Sequence, residues 1–205
     1  QRHPHLVRLH AVTEAADGRH ALVLDYLAGG SLAQLVSARG ELDPGEVVTI
    51  VTPVAQLLAQ LHADGIVHGD VTPGNILFGQ DGRPMLCDLG VATVAGLEPR
   101  TAGTDGFGID AGDGPGADIY GLGACAWFAL TGAAPLSGAL RPPLAATHPH
   151  LPLALIEVLE DCLHADPNRR PTATDLAQRA FDATTAQAVD LVAVDPQVPP
   201  LQAVT

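Results

Sequence analysis

Apolar residues recur along this chain at two different periods, and the switch between them predicts its elements. Residues 6–12 and 21–27 are short β-branched and leucine-rich runs separated by Asp17 and Gly18, the pattern of an antiparallel strand pair. Gly29 and Gly30 end the second run, and Ser31 is placed to cap a short helix over residues 32–38. From Asp43 and Pro44 onward the period changes. Val47, Ile50, Val51, Val54, Leu57, Leu58 and Leu61 fall three and four apart, which predicts a long helix that Asp64 and Gly65 stop. Residues 75–78 and 84–87 flank Gln80, Asp81 and Gly82 as a small hairpin. Residues 92–115 are rich in Gly, Asp and Thr without an apolar period and predict a loop. Helices are expected again over 118–130, 153–163 and 173–182, the first of them apolar and buried. This organisation makes residues 1–182 one domain and residues 183–205 a tail or linker.

Between the long helix and the hairpin lies the run His68-Gly69-Asp70-Val71-Thr72-Pro73-Gly74-Asn75, followed by Cys87-Asp88-Leu89-Gly90. It places an Asp, an Asn five residues later and a second Asp thirteen residues after that, each beside a turn or a short apolar run. This is the layout of a phosphoryl-transfer site. One carboxylate orients the attacking hydroxyl, while an amide oxygen and a second carboxylate hold the magnesium that bridges the nucleotide phosphates. Oxygen donors suit such a hard cation. Either piece alone is weak; the two in order, at this spacing, are specific.

The run resembles the protein kinase catalytic loop H-R-D-x-x-x-x-N and metal motif D-F-G, here as His68-Gly69-Asp70 and Asp88-Leu89-Gly90. The resemblance, to the bacterial eukaryotic-like serine/threonine protein kinases, covers roughly residues 1–182. It implies an α+β, protein kinase-like fold: a mainly helical large lobe with a hinge strand pair and a small catalytic-loop hairpin. ATP and Mg²⁺ are the implied cofactors, and a protein substrate or regulatory protein the implied partner. Residues 22–32 resemble the hinge between the lobes. There Leu24 would be the gatekeeper, the backbone of Asp25 and Leu27 would meet the adenine edge, and Ser31 would lie near the ribose. Leu77 would pack under the adenine. Asp70 would be the catalytic carboxylate, and Asn75 and Asp88 the magnesium ligands. Asp118 would accept hydrogen bonds from the catalytic-loop backbone, and His68 would be a packed, hydrogen-bonded histidine. Asp166-Pro167-Asn168-Arg169-Arg170-Pro171-Thr172 resembles a late kinase motif that small-molecule phosphotransferases lack.

Composition changes that picture in one respect. All ten basic residues are arginine. The family holds the α- and β-phosphates with a lysine and covers them with a glycine-rich loop, and neither is found here. The chain therefore reads as a C-terminal lobe whose small lobe was cut away, lost or never existed, and as inactive by itself. Gly69 stands where the family has Arg, so no cation there receives a phosphorylated activation loop. Thr72 stands where a Lys touches the γ-phosphate, removing a positive charge from the catalytic surroundings. Gly108-Ile109-Asp110-Ala111 stands where the family has Ala-Pro-Glu, which leaves Arg170 with Asp110 or with no partner. Three readings stay open: a serine/threonine kinase, a pseudokinase scaffold or regulatory module, and, third, a small-molecule phosphotransferase.

The remaining bulk properties set bounds. Hydrophobic content of 47% with 16% charged residues is globular. A net charge of −13 argues against nucleic acid and anionic membrane surfaces. Cys87, Cys125 and Cys162 are far apart in apolar segments, and no secretory signal opens the chain, so reduced thiols in the cytoplasm are expected. The longest apolar stretch, 124–130, is too short to span a bilayer.

Overall fold

A computed structural model describes residues 3–14, 20–88, 93–94, 107, 114–136, 138 and 141–191. The chain opens with β1 (Leu9–Glu14) paired antiparallel with β2 (His20–Leu24), with a bulge between Leu9 and Ala11. The turn expected at Asp17 and Gly18 lies outside the described residues. The first strand begins three residues later than the 6–12 run. Leu6 and Val7 are both buried, whereas β1 is exposed along its whole length. Two adjacent buried side chains do not suit a ribbon open to solvent, because neighbours on a strand point to opposite faces. Leu6 and Val7 instead run beside the later hairpin, where Val7 N–H donates to Leu86 O at 2.9 Å and Leu86 N–H to His5 O at 2.7 Å.

Helix α1 (Leu32–Arg39) starts at Ser31 with a reciprocal cap: Gln34 N–H donates to Ser31 Oγ at 3.2 Å and Ser31 N–H to Gln34 Oε1 at 2.9 Å. Helix α2 (Pro44–Ala63) buries every apolar position of the predicted stripe. Strand β3 (Ile66–Val67) pairs with β6 (Thr93–Val94), and β4 (Ile76–Phe78) with β5 (Pro84–Leu86), so three two-stranded antiparallel sheets accompany the helices among the described residues.

The body is helical. Helix α3 (Pro115–Thr131) is buried from Asp118 to Trp127, all round rather than along one stripe, and forms its centre. α2 and α5 (Leu153–Cys162) pack on α3, and α6 (Ala173–Ala183) packs on α2 and α5. The short α4 (Leu144–Thr147) leans on α5, and a 3-10 turn over Pro167–Arg169 meets α3. Gly121 of α3 explains how the loop carrying Asp70 reaches this helix: a Cβ there would lie 2.6 Å from Val71 O. Beyond α6 the packed chain continues past residue 182 as far as Leu191, with Val189 buried in the core.

Candidate active site

The loop from His68 to Asn75 leaves β3, crosses over α3 and enters β4, and buried polar groups set its shape. Asp118, in the first turn of α3, has a fully buried carboxylate. Its Oδ2 accepts from His68 N–H at 2.9 Å and its Oδ1 from Gly69 N–H at 2.8 Å, and His62 Nε2 lies 2.8 Å from Oδ2. Gly69 has φ +79°, a left-handed conformation glycine adopts without the Cβ penalty other residues carry. Asp118 thus accepts from the loop backbone as expected. The contact from His62 had no signal in the sequence.

His68 is completely buried. Asp70 N–H donates to its Nδ1 at 3.3 Å and its Nε2 donates to Cys87 O at 3.0 Å, the pattern of one neutral tautomer. Burial pushes the imidazole pKa down, against the pull of Asp118. His68 therefore ties the loop to the end of β5 as a packed structural group.

Asn75 is the centre of the constellation. Its Nδ2 donates to both Asp70 O at 2.8 Å and Asp70 Oδ2 at 2.9 Å, so both amide protons are committed to Asp70. The amide oxygen then points the other way, with Cys87 Sγ 3.9 Å from Oδ1. Cys87 N–H donates to Asn75 O at 2.9 Å, which brings the residue after it, Asp88, alongside. Asp88 has φ +65° and is the one non-glycine residue with positive φ among the described residues. Such a backbone costs about 1 kcal/mol or more and is concentrated at working sites.

The hinge residues meet this site through β4. Gly29 N–H donates to Phe78 O at 2.9 Å, Phe78 N–H to Gly30 O at 2.8 Å, and Ser31 bridges Leu77. Leu77 is half-buried there. Ser31 was expected near a ribose; its hydroxyl oxygen serves as the α1 cap. Leu24 is exposed and Leu27 half-buried. Asp25 N–H donates to Arg8 O at 3.1 Å, and its carboxylate pairs with His10 across the strands, which holds it below the usual carboxylate range. The sequence offered no sign of His10 in that role. Thr72 is buried, and its carbonyl accepts from Asn75 N–H at 3.0 Å. Asp110 lies outside the described residues, but Arg170 is not left alone. It donates to His164 O and Gly116 O, each at 2.8 Å, and lies over the Tyr120 ring at 4.9 Å.

Among the described residues no group of three or more His, Cys, Asp or Glu could hold a metal. The two groups expected from the sequence to face magnesium, the Asn75 amide and the Asp88 carboxylate, both offer oxygen. An all-oxygen pair of this kind suits an ion that keeps waters and takes phosphate oxygens for its other positions. Cys87 beside them is a poor ligand, because burial pushes its thiol up to about 12. No described helix is long and apolar enough to cross a membrane.

Comparison with known proteins bears on the same residues. The protein kinase domain model matches residues 1–181. The chain is 32% identical over 199 residues to the serine/threonine-protein kinase PkaA of Streptomyces coelicolor, covering 86% of this chain and 36% of that protein. It is 40% identical over 139 residues to the serine/threonine-protein kinase PknK of Mycobacterium tuberculosis, covering 63% of this chain and 12% of that protein. With the serine/threonine-protein kinase PknL of the same organism it shares 35% identity over 136 residues, 61% of this chain and 34% of that protein. The chain thus spans little more than a third, at most, of these relatives.

Proposed function

The chain belongs to the protein kinase domain family, and from that premise we propose that it carries the substrate-side half of a serine/threonine kinase site, which moves the γ-phosphate of ATP to a protein hydroxyl. The observation that supports this most directly is the commitment of both Asn75 amide protons to Asp70, which orients a carboxylate and a metal-facing amide oxygen in one step. Asp70 accepts the hydrogen bond of the substrate hydroxyl and aims its oxygen. Asn75 holds Asp70 in that attitude, and Asn75 Oδ1 and Asp88 would hold magnesium. Bound magnesium ATP supplies the phosphoryl group and neutralises charge on its oxygens. His68 and Asp118 keep the loop in register from below. The hinge segment with Leu24, Asp25 and Leu27, beside Ser31 and Leu77, forms the adenine side. Three free thiols fit a reducing compartment, the cytoplasm.

Positioning and electrostatics are nearly the whole of phosphoryl-transfer catalysis. This chain contains no lysine to hold the α- and β-phosphates, and Thr72 adds no charge near the γ-phosphate. The 205-residue chain by itself therefore does not turn over ATP. Gly69 and Thr72 also favour a second reading, a pseudokinase module that retains the metal site as a scaffold.

Metal binding tests the site without requiring turnover. At tenfold excess over its dissociation constant a ligand specific to the folded state adds about 1.4 kcal/mol, or about 3–5 °C in Tm for a chain of this size. Millimolar Mg²⁺ or Mn²⁺ should produce a shift of that order, and Asp88→Asn should abolish most of it. Equal responses in both proteins would remove Asp88 from the site. Phosphotransfer by the isolated chain within tenfold of about 1–100 s⁻¹ would overturn the claim of inactivity.

A further inference from the structure

Residues 184–191 follow α6 and lie past the last residue matched by the kinase family. They turn back along the first turns of α2, and the receiving groups grip their main chain. Gln187 N–H donates to Gly45 O at 3.0 Å, and Gln187 O accepts from the Thr49 hydroxyl at 2.6 Å. Asp190 N–H donates to Glu46 Oε1 at 2.8 Å, and Asp190 O accepts from the Arg39 guanidinium, also at 2.8 Å. Arg39 and Glu46 are themselves joined by two bonds of 2.7 and 3.0 Å, and Glu46 also accepts from Asp43 N–H at 3.1 Å. The nearly buried Glu46 carboxylate is therefore well satisfied, as a buried charge must be. The floor of this track is glycine. A Cβ on Gly45 would lie 2.6 Å from both Thr185 O and Gln187 Cγ.

One apolar side chain of the segment is buried, that of Val189. It sits on Gly82, where a Cβ would lie 3.3 Å from Val189 O and 3.7 Å from Val189 Cβ. Gly82 is in the turn of the β4–β5 hairpin. One strand of that hairpin follows directly from Asn75, and the other leads directly to Cys87 and Asp88. Its two long edges are already held, by Gly29 and Gly30 on β4 and by His5 and Val7 on β5. The tip is held by Val189. Strands of three residues do not hold a hairpin together without such packing.

We propose that residues 184–191 form a strap that braces the tip of this hairpin, making Val189 a positioning residue for Asn75 and Asp88. Its significance for catalysis rests on the site reading above, but the brace itself does not. Any event that lifts residues 184–191 is transmitted through Gly82 to the two metal donors. Unseating the strap lowers the free energy of local opening at the hairpin before it touches the helical core.

Hydrogen exchange on the full 205-residue chain tests this with Val189→Ala, Val189→Ile and Gly45→Ala. Gly45→Ala alters no strap residue and improves helix propensity, yet blocks the track. In Val189→Ala and Gly45→Ala, the Gln187 and Asp190 amides should lose protection. Amides in residues 76–87 should exchange about tenfold faster or more, while those of α3 and α5 stay within about twofold of wild type. Val189→Ile should behave like wild type. The Mn²⁺ midpoint should weaken at least threefold in the first two variants. Hairpin amides unchanged while the strap amides are freed would overturn the proposal, as would a uniform rise across all helices. If wild type shows no Mn²⁺ response, the site reading fails alone and the exchange data still decide the brace.

Discussion

Asp118→Asn is the perturbation whose cost can be worked most directly from the geometry. The carboxylate is fully buried, with His68 N–H at 2.9 Å, Gly69 N–H at 2.8 Å and His62 Nε2 at 2.8 Å. An asparagine keeps the shape but offers one oxygen and one NH₂ group. Turned one way, its NH₂ faces the buried His68 N–H; turned the other, it faces the Gly69 N–H at an exposed residue, and either way a backbone N–H of the catalytic loop loses its protein acceptor. That orphan costs about 1–3 kcal/mol, and each surviving bond falls from charge-assisted to neutral strength, a further loss of about 1 kcal/mol apiece. The total is about 3–5 kcal/mol, a fifth or more of the stability of an ordinary domain. Urea unfolding at neutral pH reads it as a midpoint lower by about 1–2.5 M, taking an m-value of about 2–3 kcal/mol/M for a chain of this size. Asp88→Asn is the matched control. Asp88 is exposed and already left-handed, a conformation asparagine accepts readily, so the same chemical change there should stay within about 0.5 kcal/mol. A loss below about 1 kcal/mol at Asp118, or equal losses at both sites, would refute the reasoning.

The other expectations follow from burial. Gly121→Ala should cost about 1–3 kcal/mol and blunt the Mg²⁺ response, because the new Cβ meets the backbone at Val71 O and not a side chain that can swing away; an unchanged Tm would count against the close approach. Cys125 and Cys162 are fully buried, with burial pushing the first well up and the second up to about 12. A thiol reagent at pH 8 should label them about a hundredfold or more slower in the folded chain than in urea, and free-thiol rates at either would contradict the packing. His68 has its pKa lowered in the folded state by burial, so below its ordinary value of about 6.5 the unfolded chain takes up a proton that the folded chain refuses. Its contribution is thus intact near pH 7.5 and eroded by pH 5.5. His68→Gln should lose less stability than wild type across that interval, and a steeper loss in the variant would reverse the assignment.

Sequence alone was sufficient where the determining interactions are local. The stripe from Val47 to Leu61 repeats within one or two turns, and α2 buries all of it. The Ser31 cap closes within three residues, and the all-apolar run of α3 needed no partner to be read as buried. Asp70 and Asn75 were legible as neighbours because one short loop sets their spacing.

Tertiary structure decided whatever depends on segments far apart in the chain. Leu6 and Val7 read as strand because they are β-formers, yet they lie against Leu86, about eighty residues on, because burial there exceeds anything the exposed ribbon offers. His62 meets Asp118 across 56 residues, and Asp190 meets Glu46 across 144. The strap was the least legible of all. Its bonds are made by backbone groups that every residue carries, and its track is defined by missing side chains at Gly45 and Gly82. Apolar periodicity records which face of an element seeks burial, but not which distant surface covers it; that choice belongs to the packed core, where shape and hydrogen-bond satisfaction are settled together.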